Sequence, residues 1–502
     1  MSWLEHVSFL KFSRGCTSAY FERLLSVVSD LGSRIPVLNL HHIAGMLLRN
    51  SVLKSLPGTS PFGIACRRSA STKSLKETIE EVIPVKQAHL KKLKTEYSDT
   101  SIGDVKVGNV IGGMRGLRAM LWDSSVLDPE EGIRFHGLSI PDCKKALPAA
   151  PGGKEIIAES MLWLLLTGQV PSPEQTRELS RELAQKGNLP SSIESLVDSL
   201  PRTLHPMTQL GIGVAALNHD SSFQAAYEKG MKKSEYWTHT LDDSLNLVAR
   251  LPALAARIYR NVYKPGAALP EINPDLDLVG NYTNMLGYGD NHDLTGIPST
   301  GGNASAHTAH LVGSTLADPY LSYSAALFAL AGPLHGLANQ EVLRWQLSML
   351  KEVGEEVSHD TIKEYLWKTL KSGQVVPGYG HGVLRNPDPR FIALQEFCES
   401  KPELMNSPII QLVKKTYEVA PGVLKEHGKT KNPYPNVDAA SGCVLYHYGL
   451  TEFKYYTVIF GVSRALGCIT QLVWARALGL PLERPKSYSL EAIEQLAKSG
   501  SS

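Results

Sequence analysis

Helical spacing constrains this chain more than any other feature. Apolar residues return every three or four positions, with start and stop signals at the ends of each run, and strict apolar/polar alternation is scarce. In SPEQTRELSRELAQKG, residues 172–187, Ser172 stands as N-cap with Gln175 three residues on. Pro173 occupies the first helical position, Leu179 and Leu183 share a face, and Gly187 ends the run. EIIAESMLWLLLTG, QEVLRWQLSMLKEVG (with Leu343, Leu347 and Leu350 in register) and DTIKEYLWKTLKSG predict further helices. The best strand candidate is a short patch near VKVGNVIGG, so the fold class expected is all-α with at most a small hairpin.

One long apolar run, YYTVIFGVSRALGCITQLVWARALGLP, is divided by Arg464, so it predicts a buried core helix with no membrane span. An arginine inside such a helix needs an anion or another polar partner, because an unpaired buried charge is costly. The 502 residues, 43% apolar and 20% charged, suffice for two or three domains. Six scattered cysteines contain no CxxC pair, which points to a reducing compartment and to neither a disulfide framework nor a metal site.

Charge is unevenly placed. Residues 46–73 carry Arg49, Lys54, Arg67, Arg68 and Lys73 with no acid, the pattern of a mitochondrial transit peptide. The whole chain is only +2, so the remainder is slightly acidic and no nucleic-acid footprint is left. Residues 1–45, with Glu5, Glu22 and Asp30, form an N-terminal extension of unclear status, and Met46 stands as an alternative start.

Chemistry-bearing residues gather in glycine-bent loops. VVPGYGHGVLRNPDPR, residues 375–390, places His381, Arg385 and Arg390 among glycines that let backbone approach a ligand. A Pro-Gly connection would explain the glycines alone, but not the histidine and two arginines. KTKNPYPNVDAASG puts Asp438 ahead of a helical stretch, where a helix cap is the simpler role. LAGPLHG sets His335 between a Gly-Pro turn and a glycine, and a Gly-rich loop ends in Asn303, Ser305 and His307. A lone histidine of this kind is more often structural than catalytic.

These segments occur with GGMRG (112–116), SVLDPEEGIRF (125–135), GPLHGLANQEVL (332–343), KNPYPNVD (431–438), GVSRALG (461–467) and LERPKS (482–487). In that order, over residues 75–487, the chain resembles eukaryotic mitochondrial citrate synthase. The resemblance implies a helical homodimer in the mitochondrial matrix. Its large domain would span residues 74–335 and 441–498, and its small domain residues 336–440. The implied substrates are acetyl-CoA and oxaloacetate, with no cofactor and no metal. Asp438 would be the base, His335 the donor to the acetyl carbonyl oxygen with Ser305 orienting it, and His381 the acid at the oxaloacetate ketone. Arg390 and Arg464 of one subunit and Arg484 of the other would bind the oxaloacetate carboxylates. Coenzyme A would lie along Val375, Val376, Gly378, Tyr379 and Gly380, with Arg385, Lys431, Arg115 and Lys233 near its pantetheine and phosphates.

The chain also departs from that pattern. The run between Tyr288 and Gly301 is shorter by roughly eight residues, a little over two turns of helix. Ser299 and Gly296 stand where the pattern has histidines, one of which donates to oxaloacetate. Phe328, Ala440 and the LQEF stretch at 394–397 differ as well. A lost donor to a reacting carbonyl typically costs about 100- to 1000-fold in turnover. Two alternatives to a working citrate synthase follow: a catalytically impaired paralogue serving as dimer partner or interaction protein, and 2-methylcitrate synthase.

Overall fold

The computed structural model describes residues 73–114, 116–150, 153, 155–289 and 303–500. The N-terminal extension, all of the basic segment except Lys73, the candidate Arg115 and, apart from Gly289, the loop at 289–300 expected to be shortened lie outside the described residues. Twenty α-helices and one two-stranded ribbon occur among the described residues. They begin with α1 (Leu75–Glu96), α2 (Val107–Ile111), β1 (Ser125–Asp128), β2 (Gly132–Phe135), α3 (Ile140–Ala146), α4 (Ala158–Thr167), α5 (Pro173–Lys186), α6 (Ser191–Ser199) and α7 (Pro206–Ala216). The middle holds α8 (Ser222–Glu228), α9 (Tyr236–Tyr263), α10 (Leu278–Leu286), α11 (Ala304–Ser314), α12 (Pro319–Leu330) and α13 (Ala338–Val353). The rest are α14 (His359–Lys371), α15 (Pro389–Glu399), α16 (Pro402–Met405), α17 (Pro408–His427), α18 (Asp438–His447), α19 (Tyr456–Ala477) and α20 (Leu490–Ser499).

The helices start and stop where local chemistry dictates. In α5 the Ser172 side chain accepts from the Gln175 N–H while the Gln175 side chain accepts from the Ser172 N–H, and Gly187 follows the last turn. Ser74 with Glu77 and Ser139 with Asp142 repeat the device at α1 and α3. Gly168, left-handed at φ +70°, closes the apolar α4.

VKVGNVIGG is not a strand. It forms the short helix α2, because the Asn109 side chain accepts from the Lys106 N–H and the Gly112 N–H returns to the Gly108 carbonyl, closing turns where a strand would need a ladder partner. The hairpin lies instead at SVLDPEEGIRF, pairing Ser125 with Phe135 and Asp128 with Gly132. Gly132, at φ +86°, is obligatory there: a Cβ on it would fall 2.3 Å from Pro389 Cγ. The hairpin therefore sits directly on the start of α15.

The core is built around two long helices. α9 buries Leu247, Leu251, Leu254 and Ile258 against α19 and α7, each side chain worth about 1.5–3 kcal/mol of burial. Gly213 permits the close approach of α7, since a Cβ there would meet Leu254 at 2.7 Å. The span Phe453–Ala477 is apolar and long enough to cross a membrane, yet 78% of its most apolar stretch is buried inside the protein, as expected of a core helix. α13, α17 and α18 pack on one another, with α14 on α17 and α15 on α18.

Candidate functional site

Three segments converge at Arg464, which lies midway along α19 and is 3% exposed. α11 brings Asn303 at its N-cap and Ser305 in its first turn. The turn before α13 brings His335, held because the Gly336 carbonyl accepts from Thr457 of α19. A Cβ at Gly336 would come within 2.6 Å of the Leu330 carbonyl oxygen, so no other residue fits so close to α12. Arg464 Nη1 donates to Ser305 Oγ at 2.6 Å, to Asn303 Oδ1 at 2.9 Å and to His335 Nε2 at 2.8 Å. Its guanidinium also covers the Phe460 ring, 4.2 Å from the centroid. The buried cation of the long helix thus has its polar partners, and burial still lowers its pKa to about 10.

Guanidinium groups only donate, so His335 Nε2 is an acceptor and the proton of the neutral ring is on Nδ1. Burial, reinforced by the charge of Arg464, pushes His335 down to about 4. This imidazole is therefore neutral at physiological pH, with one N–H directed away from Arg464.

The second histidine has the opposite tautomer. His381 Nδ1 accepts from the backbone N–H groups of Val383 and Leu384, both at 3.0 Å, which leaves its proton on Nε2. Burial first and the Arg390 charge second lower its pKa, against the opposing pull of Asp388. Arg390 is gripped by Asp388, the N-cap of α15, with Nε to Oδ1 at 3.0 Å and Nη2 to Oδ2 at 2.7 Å.

Asp438 is not a cap. The N-cap of α18 is Val437, Asp438 is the first helical residue, and its N–H donates to Asn436 Oδ1 at 3.0 Å. Its carboxylate receives a long contact from Asn339 Nδ2 at 3.5 Å. Burial raises its pKa, opposed by Arg390, Asn339 and Arg464. The two loops carrying His381 and Asp438 are stitched together. Gly380 N donates to the Tyr434 carbonyl at 3.0 Å, and Asn436 N to the Gly378 carbonyl at 2.9 Å. Gly378, at φ +79°, lies so close to Ala439 that a Cβ would be 2.9 Å from its Cα.

A cavity of about 250 Å³ opens beside Asp438, Arg390, Asn339 and Ser441, its far walls apolar with Phe397 and Phe460 among them. Asp388 and Asn339, the residues that hold Arg390 and Asp438, were not singled out by the sequence. The available signals were the Asp-Pro start of a helix two residues before Arg390 and the position of Asn339 one turn after His335.

The expected coenzyme A residues are only partly gathered. Val376, Gly378, Tyr379 and Gly380 belong to the stitched loop, with Val376 buried and Val375 exposed. Lys431 is exposed at the start of the facing loop. Arg385 folds onto its own loop, donating to the Val383 and Leu384 carbonyls, while its N–H donates to Pro129 of the hairpin. Lys233, in a 3₁₀ turn before α9, and Arg484, after α19, are exposed and lie outside this network of hydrogen bonds.

Two neutral imidazoles of opposite tautomer, the half-buried Asp438 carboxylate, the half-buried Arg390 and the buried Arg464 form a cluster in a helical frame whose chemistry suits proton exchange and the holding of an anion. The family model for citrate synthase, C-terminal domain, matches residues 113–486, and the chain belongs to the citrate synthase family. It is 55% identical over 440 residues to the mitochondrial 2-methylcitrate synthase of Aspergillus fumigatus, covering 86% of this chain and 94% of that protein. It is 54% identical over 443 residues to the mitochondrial citrate synthase 4 of Arabidopsis thaliana, covering 87% and 93%. The fold matches that of the Thermoplasma acidophilum citrate synthase solved with carboxymethyl coenzyme A and oxaloacetate, with a TM-score of 0.62 at 22% identity over 77% of this chain and 97% of that one. Citrate synthases need no cofactor; acetyl-CoA and oxaloacetate are their substrates.

Proposed function

We propose that this chain condenses acetyl-CoA with oxaloacetate and hydrolyses the resulting thioester, giving citrate and CoA. The observation that carries the reading is the pair of fixed tautomers, His335 bonded to Arg464 and His381 in the field of Arg390, with the half-buried Asp438 carboxylate in the field of both arginines. Asp438, desolvated and therefore more basic than an ordinary carboxylate, removes the methyl proton. The Nδ1–H of His335 donates to the thioester oxygen as negative charge develops there, in a site where fixed donors are worth more than in water. The new carbon–carbon bond forms at the oxaloacetate ketone, whose oxygen takes a proton from Nε2 of His381. Water then cleaves the thioester.

Arg390 and Arg464 bind the oxaloacetate carboxylates, together with the partner subunit's Arg484 in a homodimer of the kind typical of the family. Coenzyme A lies along residues 375–380, near Arg385, Lys431, Arg115 and Lys233. Residues 336–440 act as the small domain that closes over the site. The basic segment at 46–73 and the mitochondrial relatives support a place in the mitochondrial matrix.

A second substrate reading has its own support. The cavity beside Asp438 and Ser441 offers apolar room for one more methyl on the acyl group, and among the relatives are 2-methylcitrate synthases. One assay addresses both readings. Free thiol should be released from acetyl-CoA only when oxaloacetate is present, and Asp438→Asn should reduce that release by at least about 1000-fold, the scale on which loss of a catalytic group is felt. Unchanged release in a folded Asp438→Asn protein would end the proposal. Propionyl-CoA run in parallel gives the specificity as a ratio of kcat/KM values, and a ratio in its favour selects the methylcitrate reaction.

A further inference from the structure

Outside the acid–base site, one side chain joins the segment that carries Arg484 to the helix whose N-terminus frames Arg464 and His335. The Glu483 carboxylate receives a 2.7 Å bond from His307 Nε2 and a 3.0 Å bond from His310 Nδ1, two imidazoles one turn apart on α11. The Glu483 backbone N–H donates to Ser314 Oγ, on the last turn of the same helix, at 3.0 Å. Although partial burial pushes the Glu483 carboxyl up, the two histidine bonds hold it below its ordinary value, so it stays an ionised acceptor.

The segment after α19 has little else to fix it. Residues 481–488 form no regular element, and Leu482, Arg484 and Tyr488 are exposed. Among the described residues, the hydrogen bonds of this stretch fall on Glu483. Its anchor is the helix whose N-terminus presents Asn303 and Ser305 to Arg464 and His335. An otherwise loose peptide is thus pinned, one residue before Arg484, to the frame that orients the catalytic imidazole.

We propose that Glu483, clamped by His307 and His310, is the positioning residue for Arg484, fixing where that guanidinium meets the oxaloacetate carboxylate in the partner subunit's site. The inference rests on the reading of Arg484 as an oxaloacetate ligand. A clamp of this kind acts on substrate affinity, because it limits the conformations from which Arg484 must be recruited.

The test is a double-mutant cycle on the full-length dimer, with KM for oxaloacetate, KM for acetyl-CoA and kcat measured separately. Glu483→Ala should raise KM for oxaloacetate about tenfold while leaving KM for acetyl-CoA within about twofold, the size expected when a charge-assisted contact is lost. Glu483→Gln, which keeps one oxygen as acceptor, should fall between. In an Arg484→Ala background, Glu483→Ala should add less than about twofold, since a residue acting through another has nothing left to position. His307→Gln, at the partly exposed arm of the clamp, repeats the measurement in a variant that leaves α11 and the backbone anchor intact. Additive effects of Glu483→Ala and Arg484→Ala, or an unchanged oxaloacetate KM in Glu483→Ala and His307→Gln alike, would overturn the proposal. If Arg484→Ala itself left that KM unchanged, the reading of Arg484 would be the part that failed, and the clamp would fall with it.

Discussion

His335 sits next to Arg464: burial first and that charge second keep the ring neutral, and the guanidinium fixes its tautomer. The sequence named the histidine, the arginine and Ser305, but could not supply the tautomers. Those depend on which nitrogen meets a donor: Arg464 Nη1 at His335, the Val383 and Leu384 N–H groups at His381. A stability consequence follows from linkage. His335 falls from an ordinary value of 6.5 to about 4 in the folded state, so the unfolded chain binds the extra proton first. The stability this group contributes is complete above about pH 6.5 and is lost as pH falls from there to about 4. Urea midpoints measured across that window should decline, and His335→Gln, which cannot titrate, should show a shallower decline. Equal slopes in the two proteins would show that His335 is not proton-linked to folding.

Caps and glycines made several helices legible: Ser172, Gln175 and Gly187 bound α5 as expected, and Gly354 follows α13 at φ +82°. The ribbon was not legible, because its strands are four residues long and what fixes them is tertiary contact. Gly132 abuts Pro389, and Arg385 and Asn386 reach back to the Pro129 and Glu130 carbonyls. The same contacts give SVLDPEEGIRF a purpose, bracing the loop that carries His381 and Arg390. Gly378 is the complementary pressure point, where the loop meets the first turn of α18. Gly378→Ala adds a Cβ at positive φ and directly against the Ala439 backbone, so it should destabilise the protein by about 1–3 kcal/mol. It should also reduce turnover, since the displaced turn begins with Asp438. A protein with unchanged melting temperature and turnover would mean that the two loops are free to part.

At the scale of the whole molecule, the sequence made the helical class plain through its periodicity and its divided apolar run, and the family through motifs spread from 112 to 487. What periodicity cannot reveal is how segments far apart in sequence meet: Arg464 reaches Asn303 and His335 across more than a hundred residues only once α19 is buried. Nor does it fix which chain a given arginine serves. Arg484 is exposed, on a segment leading away from α19, which is the placement required of a group that completes the site of a neighbouring subunit. Two variants of much reduced activity can test this. Asp438→Asn lacks the base but keeps Arg484, and Arg484→Ala keeps the base but lacks the arginine. If the arginine serves the other subunit, unfolding and refolding the two together creates mixed dimers holding one site with both groups intact. Random pairing makes about half the dimers mixed, each with one good site of two, so about a quarter of wild-type activity should return. If Arg484 served its own chain, every site in the mixture would lack one group, and the refolded mixture would be no more active than its parents.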